Sequence, residues 1–227
     1  SAQTNQNPLV IAMTQPRSIA ATFSTNQPSL VVSSSHGMPT PPAGTNAGAY
    51  GRVDACSVSG SPELAGMTQY VCTGWAGSGS TPASGSGTNV IVTVLTNSTL
   101  TWNWQTLHQL IAVAGTNGSV SPASGWYQSG SNITVTATPD SIHQRFAGWA
   151  GDVPSSSTNA NPLSLTMDQA RSISAAFVTN TPALVISSSH GLASPAPGTN
   201  SGFYGRTVDC TISGSPEVSG PTQYVYS

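Results

Sequence analysis

The chain has 227 residues, of which only 5% are charged; its net charge is −2 and it contains no lysine, whereas a typical soluble domain is about 25% charged. Nucleic-acid binding rests on clustered Lys and Arg and is not expected here. With 37% hydrophobic residues the chain also falls outside the weakly hydrophobic, highly charged class of disordered proteins.

In chain order, apolar residues alternating with Ser or Thr predict strands over 30–34, 53–59, 69–73, 90–95, 99–104, 109–114, 132–138, 145–149 and 171–177. In the strand over 132–138, Ile133, Val135 and Ala137 are expected on one face and Thr134, Thr136 and Thr138 on the other. Turns are marked by Asn117-Gly118, Ser129-Gly130, Pro139-Asp140 and the cluster over 41–44. Helical periodicity is nearly absent, and the turn around Asp168–Ala170 is the best candidate for a short helix. No run approaches the ~18 continuous apolar residues of a membrane span. No basic and apolar leader opens the sequence, so any export signal is expected upstream or already removed. The expected fold is all-β: small β-sandwich or β-grasp-like modules arranged in tandem as an extended array.

An internal repeat sets the organisation. The segments Asn7-Pro8-Leu9, Met13 to Phe23, Ser33-Ser34-Ser35-His36-Gly37, Gly60-Ser61-Pro62-Glu63 and Thr68-Gln69-Tyr70-Val71 each recur 154 residues later (Asn7 to Asn161, His36 to His190, Tyr70 to Tyr224). More than half of the overlapping positions are identical, without a gap. Inside this unit a weaker repeat relates Gly74-Trp75-Ala76-Gly77 to Gly148-Trp149-Ala150-Gly151. The expected division is 1–27, the end of a B-type module; 28–105, an A-type module; 106–177, a B-type module; and 178–227, the front of a second A-type module. Two readings of the half-modules stay open: a window on a longer array, or completion by neighbouring chains.

Cys56 and Cys72 flank a stretch holding Gly60, Pro62 and Gly66. They read as two strands joined by a turn-rich loop and tied by a disulfide, worth roughly 3 kcal/mol in chain-entropy terms; two buried free thiols are the alternative. The repeat places Tyr226, not Cys, opposite Cys210, leaving Cys210 a free thiol or a partner in an intermolecular bond. Trp75 and Trp149 read as core aromatics of small modules. Trp102, Trp104, Trp126 and Tyr127 are the candidates for a ligand-stacking surface, although Trp102 and Trp104 share a strand face and fit a core equally well.

From Gly118-Ser119-Val120-Ser121-Pro122 through Gly130-Ser131-Asn132-Ile133-Thr134-Val135-Thr136-Ala137-Thr138-Pro139, Phe146-Ala147-Gly148-Trp149-Ala150-Gly151-Asp152, Asn161-Pro162-Leu163 and Ala175-Ala176-Phe177, the B-type module resembles divergent internalin-type B-repeats of large bacterial surface proteins. The A-type module is more loosely similar to segments found beside such repeats. The resemblance implies a non-catalytic stalk, spacer or adhesive element at the cell surface or outside the cell, and it brings no site residues for chemistry.

The residues themselves agree. Asp54, Glu63, Asp140, Asp152, Asp168, Asp209 and Glu217 sit mostly in predicted turns, and His36, His108, His143 and His190 lack metal-ligand spacing. In the run Ser33-Ser34-Ser35-His36 neighbouring residues point to opposite faces and no oxyanion-loop motif accompanies them, so His36 reads as strand-end structure. No catalytic residue, cofactor or metal is expected. Expected partners are neighbouring copies of the same repeat, with a surface glycan or partner protein as the adhesin alternative.

Overall fold

The computed structural model describes residues 6–227; residues 1–5 of the expected first segment lie outside the described residues. The protein is nearly all β. The first module contributes strands β1 (Ser29–Ser34), β2 (Met38–Thr40), β3 (Gly44–Ala47), β4 (Arg52–Ser59), β5 (Glu63–Ala65), β6 (Thr68–Ser78), β7 (Ser84–Gly85) and β8 (Asn89–Val94). A 17-residue strand, β9 (Ser98–Ala114), follows. The second module adds β10 (Gly118–Ser121), β11 (Gly125–Gln128), β12 (Asn132–Pro139), β13 (Gln144–Gly151), β14 (Leu163–Thr166) and β15 (Arg171–Thr179). The remaining strands are β16 (Ala183–Ile186), β17 (Leu192–Ser194), β18 (Gly198–Ser201), β19 (Thr211–Ser213), β20 (Glu217–Ser219) and β21 (Thr222–Tyr224). The expected helix near Asp168–Ala170 is instead a bend, and the helical content among the described residues is one 3-10 turn at Ser155–Ser157.

Each of the first two modules is a sandwich. In the first, Leu30 and Val32 of β1, Leu100 and Trp102 of β9 and Cys72 of β6 face Cys56 and Val58 of β4 and Val92 and Val94 of β8 across one core. In the second, Leu110 of β9, Trp149 of β13 and Ile173 and Ala175 of β15 face Val135 and Ala137 of β12 and Leu163 and Leu165 of β14. Burial alternates along the strands as the period of two demands: Leu30 and Val32 are buried on either side of exposed Val31. On β12, Val135 and Ala137 face inward and the threonines face out, as expected.

The two sandwiches share β9. Its first half pairs in parallel with β1 (Leu30 beside Ser98) and antiparallel with β6 (Ser78 beside Thr99). Its second half pairs antiparallel with β11 (Trp126 beside Gln109) and in parallel with β15 (Arg171 beside Leu110). The separate strands expected over 99–104 and 109–114 are therefore one, and residues 105 and 106 lie inside it rather than in a linker. The sequence disguises this continuity because Gln105, Thr106 and His108 interrupt the apolar pattern where β9 passes from one core to the next.

The third module repeats half of the first. β16 pairs with β18, β17 with β19 and β20 with β21 in the same registers that β1, β2 and β5 keep with β3, β4 and β6. Residues 6–27 repeat the β14–β15 sequence yet form no strand. Met13, Ile19 and Phe23 are 73%, 64% and 94% exposed, whereas their counterparts Met167 and Ile173 are buried and Phe177 packs on the second core. A strand needs partners for its backbone N–H and C=O groups, and among the described residues no strand pairs with residues 6–27.

Candidate functional site

Three dispersed sequence motifs meet at one end of the first sandwich. The backbone N–H of Gly37 donates to Glu63 Oε2 at 2.9 Å, and His36 Nδ1 lies 3.5 Å from the same oxygen. The His36 ring stacks on Tyr70 with centroids 3.7 Å apart and meets Trp104 edge-on at 5.7 Å. Trp104 Nε1 donates to Ser34 Oγ at 2.9 Å, and that hydroxyl donates to His36 O at 2.6 Å. Gly37 has φ +66°, and a Cβ there would come within 2.9 Å of the Trp104 ring, so glycine is required on both counts. The repeated strings Ser-Ser-Ser-His-Gly, Gly-Ser-Pro-Glu and Thr-Gln-Tyr-Val thus form one clamp around an indole. Read as strand-end structure, His36 was only part of it; that the three strings recur together was the signal for the whole.

The Gly-Trp-Ala-Gly strings also gain a physical meaning. The β6–β9 register shifts between Cys72 and Gly74, and the β13–β15 register shifts between Phe146 and Gly148, so each string begins on a β-bulge. Gly74 and Gly148 hold φ +140° and +150°, conformations that side chains on an L residue rarely allow. Past the bulge, Trp149 enters the second core and donates Nε1 to Ala160 O at 2.7 Å, while Trp75 packs on the first core, edge-on to Trp102 at 5.9 Å. The adjoining Asn161 bonds both backbone groups of Ala137 (2.7 and 3.0 Å), which accounts for the repeated Asn-Pro-Leu string as an extension of the β12–β14 ladder.

Of the candidate stacking aromatics, Trp102 is buried in the first core, Trp104 is held in the clamp and Tyr127 packs on the second core. Trp126, next to Tyr127 on β11 and so on the opposite sheet face, is half-buried and belongs to neither core cluster. The dispersed acidic and histidine residues do not assemble: among the described residues no three His, Cys, Asp or Glu side chains could share a metal ion.

Cys56 and Cys72 lie on facing sheets of the first core, both buried and both free thiols in the structure, while Cys210 is an exposed free thiol. Burial, reinforced by the Asp54 carboxylate and opposed by Arg52, pushes the Cys56 thiol up from 9.0 to about 11. An unfolded thiol ionises near 9, so between pH 9 and 11 the unfolded chain binds fewer protons than the folded one and stability falls as pH rises. In the reduced protein, denaturant midpoints are expected to drop more steeply across that window than in Cys56→Val, and equal slopes would show that the thiol does not titrate on unfolding.

Two sandwiches threaded on a common strand, each with its own bulge-and-tryptophan signature, define a tandem β-sandwich repeat. Residues 108–181, from the second half of β9 through β15, match the family model of the divergent InlB B-repeat domain. No curated protein and no solved structure matches the chain.

Proposed function

We propose that this chain is a non-catalytic structural repeat of a large extracellular or cell-surface bacterial protein, forming part of a stalk, fibre or sheath-like assembly. The observation that carries this reading is β9. A spacer keeps a fixed length only if its modules are held together, and within one unit Leu100 and Trp102 anchor one core while Leu110 of the same strand anchors the next. The low charge favours close packing of copies, since little repulsion opposes it. Electron microscopy of the native assembly tests the proposal. Filaments, sheaths or straight stalks with an axial period shared by successive units support it, and dispersed flexible particles overturn it.

Trp126 supports a second reading, an adhesin that stacks a sugar ring or a partner's side chain on this half-buried aromatic outside both cores. Saturable binding on a glycan array, lost in Trp126→Ala with the fold intact, is the result expected from an adhesin; binding unaffected by the substitution, or none, removes it.

The placement of Cys56 and Cys72 in one core also supports their pairing as a disulfide in an oxidising extracellular setting. Mass spectrometry of protein secreted by its native host, alkylated with and without prior reduction, distinguishes the bridge from two thiols.

A further inference from the structure

In the first sandwich, β8 closes the sheet β2-β4-β8 and pairs with β4 alone; among the described residues no strand lies on its other side. Soluble proteins keep such edges from pairing with other chains by charge, proline, bulges or shortness. Other edges of this protein follow that rule. β2 is three residues long and holds Pro39, β14 follows Pro162, and β13 carries Arg145 and the bulge at Gly148. β8 has none of these devices. Its sequence, Asn-Val-Ile-Val-Thr-Val, is uncharged and β-branched from Val90 onward, and it runs beside β4 without a register shift.

The ladder decides what this edge offers. Val58 N donates to Thr88 O at 2.9 Å. In the antiparallel register that follows, Val90, Val92 and Val94 bond β4, while the N–H and C=O groups of Asn89, Ile91 and Thr93 point away from it. Past the strand, Leu95 N points the same way and donates to Ser80 Oγ at 3.0 Å, so the edge is closed at that end. The side chains sort in the same alternation: Val92 and Val94 are buried, whereas Ile91 is 72% exposed. The charged residues of β4, Arg52 and Asp54, pair with each other at 3.0 Å and are mostly buried.

We propose that β8 pairs antiparallel with β8 of a second copy of this chain, across a two-fold axis at Ile91, and so joins two sandwiches edge to edge through one continuous sheet. In this register Ile91 faces Ile91 of the partner, and Asn89 faces Thr93 in both directions, each facing pair exchanging two backbone hydrogen bonds. All three open residues are used, and the pairing stops short of the Ser80 closure. On the outer face the two Ile91 side chains cover each other, with Ala55 on either flank. On the inner face Val90 and Val92 meet Val92 and Val90 of the partner, which makes the two apolar layers continuous. A second copy is the occupant because the strand is complementary to itself: apolar opposes apolar, amide opposes hydroxyl, and neither side brings a charge to be desolvated. The inference deepens the fibre reading by naming a lateral contact between chains, and rests on that reading for its place in an assembly.

The test is analytical ultracentrifugation of the full chain, with amide hydrogen exchange followed over the same range of concentrations. A dimer is expected in which the Ile91 and Thr93 amides, open in the single chain, become protected as concentration rises. Ile91→Lys is expected to weaken the dimer at least ~10-fold by setting two ammonium groups against each other at the axis. Ile91→Glu is expected to do the same, and mixing the two variants is expected to restore dimers, because position 91 faces itself. Protection of the Val92 amide, which bonds β4, reports that the sandwich stays folded in each variant. If a variant loses that protection, the unsubstituted chain decides: exchange at Ile91 and Thr93 that slows with concentration supports the pairing, and constant exchange overturns it. A chain that stays monomeric overturns the proposal, as do dimers that persist in Ile91→Lys or folded variants that mixing does not restore. Dimers through Ile91 in a protein whose native assembly shows no filaments would refute the fibre reading alone. Filaments in which Ile91 and Thr93 exchange as fast as in the single chain would refute the edge pairing alone.

Discussion

Gly74→Ala is expected to unfold the first sandwich, whereas Gly148→Ala weakens the second without abolishing it. Both glycines sit on the bulges that precede Trp75 and Trp149, and both hold positive φ. Forcing an alanine into such a conformation costs about 1–3 kcal/mol. At Gly74 a second cost is added, because a Cβ would collide with the Gly85 carbonyl oxygen and press on Ser86 Cα, both backbone atoms that cannot swing aside. At Gly148 the nearest atoms, Asn159 Oδ1 and Thr158 O, are 3.3 Å away, a tight fit that a small shift relieves. The combined penalty at Gly74 is on the order of 4 kcal/mol or more, a large share of the 5–15 kcal/mol that holds a typical domain. Chemical denaturation of the two variants checks the ranking; equal losses would mean that the backbone conformation alone sets the cost.

Trp102→Ala is expected to destabilise both sandwiches, although Trp102 touches only one core. The side chain is 2% exposed and packs edge-on against Trp75, and removing a buried tryptophan costs about 3–5 kcal/mol through lost transfer energy and the cavity left behind. The indole N–H has no hydrogen-bond partner in the structure. Trp102→Phe should therefore lose packing alone and cost clearly less. The effect reaches the second module through β9, whose far half supplies Leu110 and the pairing edges for β11 and β15. Hydrogen exchange is the discriminating measurement. Faster exchange on β12 and β14 in Trp102→Ala indicates one cooperative unit, and unchanged exchange there would show that the sandwiches unfold independently.

The fold class and most strands were legible because alternation at a period of two survives in short segments such as 30–34 and 132–138. Trp149 is core, as its place in the repeat implies, and burial settles Trp102, for which the sequence leaves core and ligand-stacking roles open, as core. The clamp was not legible as a site. His36, Glu63, Tyr70 and Trp104 are far apart in the chain, and none carries a spacing that chemistry would demand. Their meeting depends on β1, β5, β6 and β9 lying together at one end of the sandwich. The continuity of β9 was hidden for a related reason: a strand that serves two cores changes its surroundings midway, so its polar centre imitates a loop.

By itself the sequence determined a β-rich tandem repeat of 154 residues, because patterning and turn chemistry act locally and recur wherever the residues recur. Only the tertiary structure decided which strands pair and which core each one serves. β9 takes β1 and β6 as partners near its start and β11 and β15 near its end, so Leu100 and Trp102 enter one core and Leu110 the next. A β-strand cannot satisfy its own backbone hydrogen bonds or bury its own apolar face, so its existence is settled by its neighbours.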